Sequence, residues 1–315
     1  MVVLITGGAG FIGSTLAEKL LNAGERVITI DNFDNYYDIQ LKKQNISTLI
    51  GNSNYKIYTA DILDNKSLDK IFEENKIDTV VHLAACVGVR NSFKNPAKYI
   101  NTNIKGTINI LKKIKKYNVE KIIFASSSSV YGNRREVKFK EDFTNLQPIS
   151  PYAVTKLTAE KIIYSFTKNS NLHAVCLRFF TVYGPRQRPD LAIRKFTDSI
   201  KNNTPLYIYG DGSTIRDYTY IDDVVSGICA AIKYEKTPYE IINIGGNNPI
   251  KLYDAVTTIE KVLNKKATIK HCPPQKGDVK KTAADITKAR NLLNYNPQIS
   301  FEHGIKNFID WYYKN

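Results

Sequence analysis

Three glycines in Gly7-Gly8-Ala9-Gly10-Phe11-Ile12-Gly13 limit this chain more than any other feature, because they join the apolar run Val3–Thr6 to a segment of helical period. Gly7 permits a tight turn, Gly10 lets backbone N–H groups approach an anion at the helix N-terminus, and Gly13 lets the helix pack close to the strand. Glycines at 7, 10 and 13 form a spacing variant of the dinucleotide-binding fingerprint. Gly-rich turns are common, so the pattern draws its weight from its place between a buried strand and a helix. The competing reading is a merely tight turn.

The next strand ends at Asp31, eighteen residues past Gly13. A carboxylate there accepts both hydroxyls of an adenosine ribose and repels a 2′-phosphate. No arginine follows in Asn32-Phe33-Asp34, so NAD is expected over NADP. Phe11 and Ile12 of the glycine loop, and Asn32, belong to the same expected site, with Asp61-Ile62 bordering the adenine and Leu83-Ala84-Ala85 closing the fourth strand at the cofactor's edge. His82, just before them, reads as a satisfied core histidine and is given no chemistry.

Short β-branched runs alternate with helical segments through the first half. Val2–Thr6, Arg26–Asp31, Tyr55–Ala60, Thr79–Leu83, Lys121–Ser126 and Ala174–Phe179 read as strands, and their near-continuous hydrophobicity suits a parallel sheet covered on both faces. Ser14–Ala23, Asp64–Glu74, Pro96–Tyr117 and Pro151–Asn169 carry apolar residues at helical spacing. Such βα units wind into an α/β, doubly wound parallel sheet of the Rossmann kind. After Phe180 prolines and glycines become frequent, which marks a smaller α/β lobe, while Glu240–Ile244 reads as a strand returning to the sheet. The expected division is 1–179 plus about 219–246 for the dinucleotide-binding domain, and about 180–218 plus 247–315 for a substrate-binding lobe.

The excess of 45 Lys+Arg over 30 Asp+Glu, +15, raises a nucleic-acid role. The lysines are spread along the chain, however, and the run Leu111–Lys116 has its apolar residues at helix spacing, so a solvated helix face explains it more simply. A dianionic small substrate benefits from the same field. No apolar run approaches the roughly 18–20 residues that span a bilayer, and the N-terminus reads as no signal peptide. Cys86, Cys176, Cys229 and Cys272 are scattered without CxxC spacing, which argues against a metal site or a disulfide framework and for a cytoplasmic address.

Tyr152 and Lys156 stand one helical turn apart, so phenol and ammonium share a face. A cation beside a phenol lowers its pKa and makes it a usable general base. The pentapeptide alone is weak among 20 tyrosines; the strand end Ser126-Ser127-Ser128-Ser129-Val130-Tyr131-Gly132 strengthens it, because ligands bind at the carboxyl edge of a parallel sheet.

Together TGGAGFIG, HLAA, SSSVYG, SPYAVTK, LRFFTVYGPRQRPD and GDGSTIRDYTYIDD resemble the extended short-chain dehydrogenase/reductases, within the nucleotide-sugar epimerases, over essentially the whole chain. The resemblance implies Ser127, Tyr152 and Lys156 as the catalytic set, Lys156 also holding the nicotinamide ribose, Arg216 on the substrate diphosphate and Asp278 on the uridine ribose. It also implies a homodimer through Pro96–Tyr117 and Pro151–Asn169. Similar 4,6-dehydratases carry Asp-Glu before the VYG element and UDP-glucuronate decarboxylases keep a Glu; Ser128-Ser129 stands here instead. What remains is oxidation at C4 and re-reduction on the other face, with NAD retained throughout.

For the sugar, Thr181 stands where most relatives have Asn, and with Arg188-Pro189-Asp190 and Asp31–Asp38 it resembles UDP-glucuronate 4-epimerases. A C6 carboxylate needs a cation and hydroxyl donors, which Arg188, Thr181, Ser127 and Ser128 supply. Arg186 and Arg188 also read as surface arginines or diphosphate contacts, and Arg90 is a second candidate at the pocket mouth. Thr282 sits where the family gates sugar size, which keeps UDP-glucose and UDP-GlcNAc open as substrates. A non-catalytic dinucleotide sensor on the same fold is the alternative of another class, against which the intact Tyr152–Lys156 pair counts.

Overall fold

The computed structural model describes residues 1–134 and 136–314. Its first half alternates β1 (Val2–Thr6), α1 (Phe11–Asn22), β2 (Arg26–Asp31), α2 (Ile39–Ile46), β3 (Tyr55–Thr59), α3 (Asn65–Glu74) and β4 (Thr79–His82). Then come α4 (Val89–Lys94), α5 (Pro96–Tyr99), a π-helical stretch Ile100–Gly106, α6 (Thr107–Lys116), β5 (Lys121–Ser127), a short 3₁₀ turn Ser128–Tyr131, α7 (Pro151–Lys168) and β6 (His173–Phe179). The remainder runs β7 (Thr181–Tyr183), α8 (Ala192–Lys201), β8 (Leu206–Tyr209), β9 (Ile215–Tyr220), α9 (Ile221–Ile232), β10 (Tyr239–Ile244), β11 (Pro249–Lys251), α10 (Leu252–Leu263), β12 (Ile269–Cys272), α11 (Thr287–Leu293) and α12 (Phe301–Lys314).

Seven strands form one parallel sheet in the order β10-β6-β5-β4-β1-β2-β3. Its two faces are buried in separate apolar clusters, one with Val3, Ile5, Val81 and Ile123, the other with Leu4, Val80, Ile122 and Phe124. That two-sided burial is why these strands read as unbroken hydrophobic runs. The strand order reverses between β1 and β4, so the loops following those strands flank a crevice at the carboxyl edge. A second sheet, β11-β9-β7, and the parallel pair β12-β8 lie in the later part of the chain. Phe139 bridges to Ala284, which ties the segment before α7 to the C-terminal region.

The helix expected over Pro96–Tyr117 is interrupted by the π-helical stretch. Asn103 lies inside it, its side chain accepting from Cys86 N at 2.7 Å and donating to Cys86 O and Thr155 Oγ1, each at 3.0 Å. The extra residue in the turn carries that amide to the loop after β4, a use typical of π-bulges. The helix α7 begins at a Ser150 side chain that accepts from Ala153 N, with Pro151 in its first turn.

Candidate active site

The glycine loop is closed to side chains. Gly7 adopts φ +73°, and a Cβ on Gly13 would stand 2.2 Å from the Gly7 carbonyl oxygen. Gly10 caps α1 with no side-chain hydrogen bond, so the first-turn N–H groups are left free to receive an anion. At the end of β2 the buried Asp31 carboxylate accepts from Ala9 N at 3.1 Å and Phe33 N at 2.9 Å. Asn32 donates to Asp61 at 2.8 Å, and Ala84 N donates to Thr6 Oγ1 at 3.1 Å, so the loops after β2, β3 and β4 are fixed around one crevice. Ile62 is buried beside them, and its carbonyl accepts from Asn109 Nδ2 at 3.1 Å. A diphosphate cradle, a ribose carboxylate and an apolar wall fit NAD.

Lys42 on α2 is a residue the sequence reading passed over. It is buried, 3.6 Å from Asp31, with its ammonium over the Tyr37 ring. In sequence it looks like half of a solvated Lys42-Lys43 pair; only the packing of α2 against the glycine loop buries it. His82 is held by Thr6 and Thr107, and burial lowers its pKa to about 3, so it stays neutral.

Opposite the cradle, β5 and α7 bring the three expected catalytic residues together. Lys156, buried, donates to Ala125 O at 2.7 Å, and burial lowers its pKa to about 8. Ser127 Oγ accepts from Ser129 N at 3.2 Å and Ser129 Oγ at 2.9 Å, and its hydroxyl is near enough to the Tyr152 phenol to act on its pKa. Burial raises the phenol's pKa, while Ser127 and the positive charge of Arg188 work against that rise. The spacing assigned this task to Lys156, whose ammonium donates to the strand carbonyl; the charge of Arg188 also acts on the phenol.

The sugar-side residues separate into distinct groups. Arg188 makes a bidentate pair with Asp190 at 2.9 and 3.0 Å, and Tyr36 donates to the same carboxylate at 3.2 Å. Arg186, expected beside it as a carboxylate or diphosphate ligand, pairs instead with Glu18 on α1 at 2.9 Å and lines a separate cavity with Thr15, Tyr220 and Trp311. A left-handed backbone at Arg186 (φ +66°) sends its side chain there. Arg216 and Asp278 meet at 2.6 Å, one on β9 and one on the loop after β12. Arg90 is exposed on α4 with its guanidinium over the Tyr209 ring. Thr181 is half-buried on β7 beside Tyr218. Thr282 is buried, its hydroxyl accepting from Asp217 N at 3.2 Å. Ser128 is half-buried at the start of the 3₁₀ turn.

With this geometry in hand, comparison with known proteins places the chain. The model of the family described as GDP-mannose 4,6 dehydratase matches residues 4–308. The chain belongs to this family. Among its relatives, a UDP-glucuronate 4-epimerase of Thermodesulfobacterium geofontis is 42% identical over 313 residues, covering 99% of this chain and 96% of the relative. A crystal structure of UDP-glucuronic acid 4-epimerase from Bacillus cereus, in complex with UDP-glucuronic acid and NAD, superposes with a TM-score of 0.95 at 41% identity, covering 100% of this chain and 99% of that one. The UDP-glucose 4-epimerase of Thermotoga maritima, with UDP-glucose, gives 0.92 at 33% identity with the same coverage. Ser128 and Ser129, which set the chain apart from the elimination chemistry in the sequence comparison, lie in the 3₁₀ turn after β5.

Asp190 and Tyr36 complete the arrangement around Arg188. Both stand inside the motifs that pointed to the family, but their roles depend on a contact across 154 residues that no spacing announces.

Proposed function

We propose that this chain interconverts UDP-glucuronate and UDP-galacturonate by NAD-dependent epimerisation at C4. The observation that carries the uronate reading is Arg188: its guanidinium pairs bidentately with Asp190, whose carboxylate also accepts from Tyr36, and its positive charge acts on the Tyr152 phenol. A carboxylate at C6 recruits such a cation; a hydroxymethyl group does not.

Gly7, Gly10, Gly13, Asp31 and the residues after β4 would hold the cofactor, and NAD when bound supplies a hydride acceptor and donor for C4. Tyr152 takes the proton of the 4-hydroxyl and returns it, with Ser127 sharing that proton. Arg188, with Ser127, Ser128 and Thr181, holds the carboxylate. The 4-keto uronate is a β-keto acid, so the same clamp restrains loss of carbon dioxide. Arg216 and Asp278 stand for the diphosphate and the uridine ribose, and their mutual ion pair must open to receive them.

The test is a substrate panel on the purified protein: UDP-glucuronate, UDP-glucose and UDP-GlcNAc, with products separated against both C4 epimers and UDP-xylose. Conversion of UDP-glucuronate alone supports the clamp; preference for a neutral sugar removes the uronate assignment and leaves the epimerase.

The functional unit we propose is a homodimer. Ile100, Ile149 and Val154 are exposed around an apolar groove between the π-helical stretch and the start of α7, and a second copy of this chain would cover it. Sedimentation at micromolar protein decides between dimer and monomer. Among the described residues no helix is long and apolar enough to cross a membrane, and the four cysteines are unpaired.

A further inference from the structure

Behind the catalytic residues lies an ion pair that the proposed reaction does not use. Glu160, on α7 one turn beyond Lys156, is fully buried, and so is Arg178 on β6. Arg178 Nε and Nη2 donate to the two carboxylate oxygens at 2.9 and 2.8 Å. Ser126 Oγ donates to the same carboxylate at 2.5 Å. The guanidinium lies 4.8 Å from the Tyr131 ring centroid, and Tyr131 donates at 2.7 Å to Asn243, which in turn donates to the carbonyls of Phe139 and Asp285.

Burying two charges costs several kcal/mol per ion, and such a pair is often no more stabilising than an apolar pair of the same volume. Stability therefore does not account for it, and its location offers another reason. Three consecutive residues at the tip of β5 each engage α7: Ala125 through Lys156, Ser126 through Glu160, and Ser127 through Tyr152. All three residues pair with β6 through the strand ladder, and at the middle rung a bidentate and therefore directional side-chain pair adds a link from α7 to that strand.

We propose that the Glu160–Arg178 pair is a positioning device for catalysis, fixing the register of the β5 tip against α7 so that the Ser127 hydroxyl meets the Tyr152 phenol. The inference rests on the proposed roles of Ser127, Tyr152 and Lys156. A slip of about 1 Å at a reacting group can cost on the order of 100-fold in rate without touching binding. Glu160 also acts on Lys156. Burial dominates and lowers the ammonium's pKa, and Cys86, Glu160 and Cys176 oppose it, in that order. The Phe124 ring lies against the same ammonium, at 4.9 Å.

The test replaces both charges at once, Glu160→Met with Arg178→Met, so that neither is left buried alone, and adds Ser126→Ala as a separate variant that keeps the ion pair. For the double variant the expected result is near wild-type melting and retained NAD, KM changed by less than about twofold, and kcat lowered on the order of 10–100-fold. The alkaline limb of kcat is read alongside, since Glu160 is one of the groups acting on the Lys156 ammonium. Amide exchange across residues 124–131 rises in both variants, a readout that needs no substrate. Should the wild type turn over none of the UDP-sugars, the proposed reaction falls while amide exchange still decides the positioning role. Wild-type kcat, pH profile and exchange in the double variant overturn it. If the double variant does not fold, Ser126→Ala decides: kcat lowered several-fold with faster local exchange supports the inference, and wild-type values in both contradict it.

Discussion

Lys156 donates its proton to the carbonyl of Ala125 at 2.7 Å, a contact that fixes the catalytic helix to the strand two residues before Ser127. Burial holds this ammonium at a pKa of about 8, well below an ordinary lysine. As pH rises through 8 the folded enzyme loses that proton, and with it the positive charge beside the tip of β5. The kcat profile is therefore expected to fall on its alkaline side near pH 8, and Lys156→Met to lack that limb while turning over slowly. A flat wild-type profile from pH 7 to 10 would contradict the assignment.

Tyr152→Phe removes one oxygen from a half-buried ring that lies edge-on to Tyr99. The fold and the bound cofactor should be unaffected, while turnover falls by about 10²–10⁴-fold, the usual worth of a positioned general base. Quantifying epimer formation alongside NAD content separates the two effects. Activity within tenfold of the wild type would exclude Tyr152 as the base.

For the carboxylate clamp, Arg188→Met is expected to lower kcat/KM for UDP-glucuronate by about 10–100-fold, the value of a charge-assisted hydrogen-bonded pair. Turnover of UDP-glucose should change far less. Asp190→Asn, which frees the guanidinium from its bidentate partner, should weaken uronate selectivity in the same direction. Steady-state kinetics on both sugars would show an equal loss on each if Arg188 served the diphosphate instead.

Asp217 is fully buried, and burial raises its pKa to about 6 despite hydrogen bonds from Gly246 N and Ala284 N. With a folded value above the unfolded one near 3.8, the folded state binds the extra proton between those limits. Stability from this group thus rises as pH falls from 7 to 4.5, by about 2–3 kcal/mol for such a shift. Denaturant unfolding of the wild type against Asp217→Asn, which cannot titrate, should show the difference moving toward the wild type as pH falls. A difference independent of pH would show that Asp217 ionises normally.

Much of this molecule is legible in its sequence, and the limits have physical causes. Strands β1, β2, β4, β5 and β6 are buried on both faces, so their hydrophobic runs stand out, and the glycine loop and the Tyr152–Lys156 pair depend only on local spacing. Arg186 and Arg188 are two residues apart and chemically identical, yet one, with a left-handed backbone, pairs with Glu18 while the other pairs with Asp190. Lys42 and the Glu160–Arg178 pair are buried charges whose partners come from other elements, and a lone charged residue in a sequence reads as solvated until the packing is known. The π-helical stretch owes its place to Asn103 reaching Cys86, a contact with no local periodicity.

The most direct test of the central claim is to incubate the protein as purified, without added cofactor, with UDP-glucuronate deuterated at C4. The account predicts UDP-galacturonate that keeps its deuterium at C4, because the hydride leaves and returns within one retained cofactor. Loss of the label, a requirement for external NADH, or release of a decarboxylated pentose product would contradict it.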